Sequence, residues 1–286
     1  MSKNFILGVG CQKGGTTWLH SQLDKSSNVD MGFTKEYHVF DALYEKECRR
    51  FLTEKLTATN NRIAFDNISQ RPHLFKHLSF YANTQNYYDY FDYLWFRGGE
   101  TVSLVGDITP SYAALPVTTL EEIKANLERR GFMVKVVFLM RDPLERCWSA
   151  LRMSRRDKLL SNPDIKLPNE EKELLASISR RKAEIRTRYE VTIERLERVF
   201  DEQNIFYGFY EQLFQSDTLN RLREFLDLAD FEPDVAFQSN VSKKSQSLRE
   251  LNEEVATTIV NHYRSTYEYC EKRFHISSLW SGWKYL

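Results

Sequence analysis

Lys13 is the residue whose chemistry is most narrowly defined by its neighbours, which read Gly8-Val9-Gly10-Cys11-Gln12-Lys13-Gly14-Gly15-Thr16-Thr17-Trp18-Leu19. An apolar run at 5–7 feeds these glycines into a Thr-Thr pair. That is the pattern of a strand-to-helix turn that offers free backbone N–H groups and a helix N-terminus to an anion, most often a phosphate. Gly14, Gly15, Thr16, Thr17 and Trp18 would then line a nucleotide site beside Lys13. In a nucleoside-triphosphate loop, G-x-x-x-x-G-K-[ST], the lysine follows the last glycine. Gly10 and Gly15 keep that spacing, but Thr16 occupies the lysine position and the lysine stands at 13. The displacement argues against ATP or GTP chemistry.

A second pair of polar side chains follows a second apolar run, 136–140, in Arg141-Asp142-Pro143-Leu144-Glu145-Arg146-Cys147-Trp148-Ser149. Asp142 suits a helix N-cap and Pro143 the first helical turn. Arg141 is therefore expected at the carboxyl end of a strand, and Ser149 about two turns into the next helix. A guanidinium fork and a hydroxyl so placed can share one phosphate.

These two segments resemble the 5′-phosphosulfate loop and the 3′-phosphate motif of the sulfotransferases that use 3′-phosphoadenosine 5′-phosphosulfate (PAPS). A third segment, Thr34-Lys35-Glu36-Tyr37-His38-Val39-Phe40-Asp41, resembles the K-E-x-H-F-F-D stretch of the heparan-sulfate and related glycan sulfotransferases. The resemblance implies that Glu36 takes the acceptor proton, with Lys35, His38 and Asp41 around it. The small-molecule branch of the family uses a histidine base, so His38 stands as the alternative. Gly106-Asp107-Ile108-Thr109-Pro110-Ser111-Tyr112 resembles the E-K-[ST]-P-x-Y segment of the glycan branch, placing Thr109 and Tyr112 near the acceptor. Ile108 stands where those enzymes carry lysine, which weakens the case for a polyanionic acceptor. Tyr210-Glu211-Gln212-Leu213 resembles the family's Y-E-x-L segment, and Lys243 and Lys244 lie where relatives close a loop over the nucleotide.

The resemblance runs from Phe5 to about Leu228. It implies PAPS as donor, adenosine 3′,5′-bisphosphate as product, and in-line transfer of a sulfuryl group to a hydroxyl or amine, without a required metal. Lys13 would neutralise the leaving phosphate oxygen. Two rival readings are a P-loop kinase with an atypical loop and a non-catalytic nucleotide-binding protein.

The elements that must hold these residues alternate in type. Strands are expected at 5–9, 29–33, 102–106 and 134–140, a last core strand entering a helix over 205–213, and helices at 15–24, 117–130, 143–155 and 219–228. Such alternation gives a central parallel sheet flanked by helices, with ligands at the carboxyl ends of the strands. The resemblance implies more narrowly a P-loop NTPase-like sulfotransferase fold. The stretch from 34 to about 100 offers no regular assignment, although its dense aromatics at helical spacing read as packing residues. The charged segment 169–201 reads as an exposed helix or helix pair.

At 286 residues, 42% of them hydrophobic, the chain is read as one domain with a substantial core. Forty basic and forty acidic residues balance, and nothing in that balance calls for nucleic acid or a membrane surface. The expected acceptor is a small hydroxylated metabolite, a lipid or a neutral sugar. No apolar run approaches a membrane span or a signal sequence, and four scattered cysteines read as reduced thiols of a cytoplasmic protein.

Overall fold

The computed structural model describes residues 2–60, 72–236 and 251–286, without the side chains of 58–60. Lys243 and Lys244 lie outside the described residues. Five parallel strands form one sheet in the order β2-β3-β1-β4-β5: β1 Asn4–Gly10, β2 Val29–Asp30, β3 Leu104–Ile108, β4 Met133–Met140 and β5 Ile205–Phe209. The two central strands, β1 and β4, are apolar along almost their whole length, as strands covered on both faces must be.

Side chains alternate across such a sheet with period two. Phe5, Leu7 and Val9 of β1 join Val134, Val136, Phe138 and Met140 of β4 in one core layer. Ile6 of β1 joins Val137 and Leu139 of β4 in the other. Helix α1, Thr16–Leu23, buries Trp18, Leu19 and Leu23 against this second layer. On the far side of the sheet, helix α5 (Gln85–Arg97) presents Tyr87, Tyr90, Phe91 and Leu94, and the Phe91 ring meets Phe5 edge-on at 5.0 Å. Each such side chain contributes roughly 1.5–3 kcal/mol through removal from water.

Between β2 and β3 the chain is not irregular, as its sequence suggests, but folds into helices α2 (Phe40–Tyr44), α3 (Arg50–Asn60), α4 (Pro72–Ala82) and α5. Their aromatics are the period signal: Tyr93 and Phe96 face solvent while the i, i+3, i+4, i+7 set of α5 is buried. Helix α6 (Val117–Glu128) precedes β4, and α7 runs from Pro143 to Ser161, longer than expected. The charged segment after it is also corrected. It forms α8 (Glu170–Ile178), α9 (Arg181–Thr187) and α10 (Tyr189–Val199). These helices bury Leu174, Ile178, Tyr189, Ile193 and Leu196 instead of standing free.

Helix α11 (Ser216–Leu226) follows β5. Lys135, on the β4 face toward it, donates to the Phe225 carbonyl at 2.6 Å, placing a cation at the negative end of that helix. Helices α12 (Glu253–His262) and α13 (Arg264–Phe274) lead to a short turn at Ser281–Tyr285. All four cysteines are free and buried. Among the described residues no helix is long and apolar enough to cross a membrane.

Candidate active site

The carboxyl ends of all five strands point to one edge of the sheet, and the sequence motifs gather there. The loop after β1 carries Lys13 and delivers α1. Gly14 cannot accept a Cβ, which would lie 2.7 Å from the Leu139 carbonyl oxygen. Gly15 has φ +94° and its Cβ would meet Leu213 at 2.4 Å; it is the helix N-cap and has no side chain to bond the first-turn N–H groups. Those groups, on Thr16, Thr17 and Trp18, are the unsatisfied donors of a helix start. Trp18 is buried, with its indole N–H donating to the Asp234 carbonyl at 3.3 Å.

Arg141 leaves the end of β4 and Ser149 lies on α7, as the spacing requires. The Arg141 guanidinium donates to the Lys13 carbonyl at 3.3 Å and to Glu145 at 3.2 Å, and stacks over the Tyr210 ring at 4.4 Å. Its Nε is buried with no hydrogen-bond partner among the described residues. Asp142 is the N-cap predicted, accepting from the Leu144 N–H at 3.0 Å. It also accepts from Tyr267, from Ser281 at 3.0 Å and from the Gly282 N–H at 2.7 Å, which ties the end of the chain to this turn. Glu211, from the Y-E-x-L segment, accepts the Asp142 N–H at 3.0 Å. Burial raises its carboxyl to about 7 against that hydrogen bond.

The loop between β2 and α2 brings the third motif to the same edge. Glu36 pairs with Lys35 on one oxygen, and its other oxygen lies 3.2 Å from His38 Nε2. His38 Nδ1 meets Asp41 Oδ2 at 2.7 Å, and the ring stacks on Phe51 at 3.6 Å. Asp41 is fully buried. Burial works against the Glu36 charge, but the hydrogen bond from His38 and the charge of Lys35 outweigh it and hold the carboxyl at about 2. Burial likewise opposes charge on His38, and hydrogen bonds to Asp41 and Glu36 overcome it, raising the ring to about 9. At neutral pH the pair is thus a carboxylate beside an imidazolium. Lys13, Glu36 and His38 all have left-handed backbone, at φ 75°, 60° and 51°. Such conformations cost a non-glycine residue of order 1 kcal/mol and cluster at functional sites.

A cavity of about 580 Å³ connects the three motifs. Lys13, Gly15, Thr16, Thr17, Trp18, Glu36, His38, Arg141 and Ser149 all line it. Gly14 sits behind the loop, and Lys35 reaches the cavity only through its pair with Glu36. Asp41, fully buried, acts through His38. Thr109 and Tyr112, expected beside the acceptor, are instead buried beneath it. With Tyr87 they donate to Asp107 at 2.7, 2.9 and 3.0 Å. The Tyr112 hydroxyl also accepts the Val39 N–H at 3.3 Å, so its role is to position the Glu36 loop. Ile108 points the other way, into the core layer shared with α1.

Ser111 was not singled out by sequence, yet it lines the cavity and donates to Asp41 at 2.5 Å, with His38 Nδ1 at 3.2 Å. Arg50, Arg156 and Arg186 also line the cavity, giving with Lys13 and Arg141 five permanent cations against one carboxylate. Among the described residues Lys13 forms no ion pair; burial and the charges of Arg141 and Arg156 lower its pKa against the opposing charge of Asp157. A site so charged suits a polyanionic ligand.

A family model described as "Sulfotransferase family" matches residues 5–233 of the chain. No curated protein matches the sequence. Among solved structures, a sulfotransferase from Alicyclobacillus acidocaldarius shares the fold at a TM-score of 0.58 and 16% identity, covering 96% of each chain. A sulfotransferase domain from the curacin biosynthetic pathway is similar at 0.47 and 18% identity, over 84% of this chain and 78% of that one. A sulfotransferase from Mycobacterium avium gives 0.46 and 14% identity, over 93% and 76%.

Proposed function

As the chain belongs to the sulfotransferase family, we propose that it binds PAPS in the cavity at the strand ends and transfers the sulfuryl group to a hydroxyl of a small acceptor, with Glu36 as base. The observation that carries this reading is the single cavity of about 580 Å³ joining the Lys13 loop, the Arg141 and Ser149 pair, and Glu36 with His38.

The residues present fit the donor. The uncapped first turn of α1 and Lys13 suit the 5′-phosphosulfate. The orphaned Arg141 Nε and the Ser149 hydroxyl suit the 3′-phosphate. When bound, PAPS supplies the sulfuryl group and leaves as adenosine 3′,5′-bisphosphate.

The chain's own residues divide the remaining work. Lys13, with the first-turn N–H groups, stabilises negative charge building on the leaving phosphate oxygen. Glu36 is ionised over the whole physiological range and so is able to take a proton from the acceptor oxygen. His38 is held protonated by two carboxylates and has no free lone pair for that role. On this ground we take Glu36 rather than His38 as the base. His38 and Lys35 keep the carboxylate aimed until an acceptor displaces one of them. The low pKa of Glu36 makes it a weak base in the empty site; a neutral acceptor hydroxyl that displaces Lys35 raises it toward the value catalysis needs.

Calorimetric titration with adenosine 3′,5′-bisphosphate in EDTA, beside ATP with Mg²⁺, tests the reading. Metal-free binding of the bisphosphate that is lost in Arg141→Ala supports it. Binding of Mg-ATP alone would replace it with a kinase.

A further inference from the structure

A second cavity, of about 610 Å³, opens beside the first and shares Gln12, Arg50, Met153 and Arg186 with it. None of the phosphate-loop residues from Gly14 to Trp18 lines it, nor does Arg141 or Ser149. It lies between α7, α8 and α9. Ala150, Leu151, Met153 and Ile165 give it an apolar wall.

Its depth is cationic. Arg146 is 2% exposed and Arg186 6% exposed, and both line the cavity. Neither forms an ion pair among the described residues. Arg146 donates only to Cys147 Sγ, at 3.1 Å, and Arg186 donates to Gln12 Oε1 at 2.8 Å. Among the described residues the Nε of each is buried with no hydrogen-bond partner. The cavity also carries Arg50, Lys158, Arg180 and Lys182, against the carboxylates Asp157 and Glu173. Glu173 is already held by Arg155 and Lys158, both at 2.7 Å, and Asp157 lies 3.7 Å from Arg156. Burial, with help from the charges of Arg146 and Arg50, pushes Arg186 below the usual arginine range. Burial and the charges of Arg186 and Arg50 do the same to Lys182. Buried charge without a partner is expensive unless a ligand supplies one.

We propose that this second cavity is an oxyanion site, in which Arg146 and Arg186 hold a carboxylate or phosphate of the acceptor, so that the acceptor is a hydroxylated acid with an apolar body. The position of its reacting hydroxyl, at the Glu36 end of the shared wall, rests on the function proposed above. The anion site does not. The inference departs from the neutral acceptor that the balanced charge and Ile108 suggest, because net charge says nothing of how charge is distributed around one cavity. A guanidinium offers paired N–H donors that match carboxylate and phosphate oxygens and would complete the unsatisfied Nε groups.

The test is a titration of ¹⁵N-labelled protein followed at the arginine Nε–H resonances, with those of Arg146 and Arg186 assigned by their loss in Arg146→Lys and Arg186→Gln. The probes are benzoate, phenyl phosphate and the uncharged benzamide. Saturable shifts of both signals with benzoate or phenyl phosphate, absent with benzamide, are expected, and the tighter anion identifies the acceptor's acid group. Arg186→Gln should weaken that anion at least tenfold. Signals that stay fixed, or that move equally with benzamide, would overturn the proposal. So would adenosine 3′,5′-bisphosphate saturating both signals and blocking benzoate, since the arginines would then serve the donor. Failure of the bisphosphate to bind at all would sink the sulfotransferase reading and leave the benzoate result to decide the anion site. Should Arg186→Gln not fold, Arg186→Lys supplies the assignment of the Arg186 signal and the wild-type titration decides.

Discussion

His38 Nε2 lies 3.2 Å from Glu36 Oε2, and the proposed role of Glu36 as base rests on this contact. The ring's other nitrogen faces Asp41 at 2.7 Å, so the imidazole is clamped between two carboxylates and stays cationic to about pH 9. Glu36→Gln keeps the shape of the side chain and removes its basicity. Transfer from PAPS should fall by roughly 10²–10⁴, with affinity for adenosine 3′,5′-bisphosphate changed less than about threefold. Single-turnover transfer beside calorimetry separates the two effects, and a variant with wild-type transfer would move the base elsewhere.

The same clamp has a pH signature. His38 is held at about 9 against an ordinary 6.5, so its contribution to stability is complete below 6.5 and is lost as pH rises through about 9. Glu36 is held at about 2 against 4.5, so its contribution is complete above 4.5 and is lost as pH falls through about 2. The difference in melting temperature between the wild type and His38→Gln should be largest between pH 4.5 and 6.5 and shrink by pH 9.5. A difference that stays level from pH 6 to 10 would show that His38 is not charged in the native state.

Lys13 forms no ion pair among the described residues and lies in an electropositive cavity. Lys13→Ala should lower turnover by roughly 10²–10³, the loss expected for one donor aimed at developing negative charge. The effect should fall on kcat more than on donor KM, because the charge it meets grows in the transition state. A change confined to KM would make Lys13 a binding residue only.

Tyr112 bridges Asp107 at 2.9 Å and the Val39 N–H at 3.3 Å from a fully buried position. Tyr112→Phe leaves that N–H without an acceptor. Urea unfolding should show a loss of about 1–3 kcal/mol, and transfer should slow because the Glu36 loop loses a support. Unchanged stability would mean the loop is held by Tyr81 and His77 instead, which donate to His38 and Tyr37 carbonyls.

The positions of the Lys13 and Arg141 segments were legible because each is contiguous and sits at a strand-to-helix junction, where an apolar run and the turn residues after it both mark the end of a strand. Glu36 and His38 were legible by the same kind of local pattern. Thr109 and Tyr112 were misplaced because a segment fixes which residues are near a site but not which way each side chain turns; buried Asp107 draws both inward. Arg50, Ser111 and Arg186 reach the cavity from elements far apart in sequence, so no local spacing could unite them. No local spacing signals the burial of Arg146; the turn of α7 carries it into the interior. The helices between β2 and β3 were not assigned although their aromatics stand at helical spacing, because exposed Tyr93 and Phe96 weaken the contrast between the apolar and polar faces of α5.

The Asp142 carboxylate joins two parts of the chain that are 140 positions apart, through the Gly282 N–H at 2.7 Å, and it adjoins Arg141. A ligand that immobilises Arg141 therefore also lowers the freedom of the turn at Ser281–Tyr285. The two ends of this contact are thermodynamically linked, each stabilising the other by the same free energy. On the proposed function, amide hydrogen exchange at Gly282 should slow as a nucleotide fills the cavity beside Arg141, although Gly282 does not line that cavity.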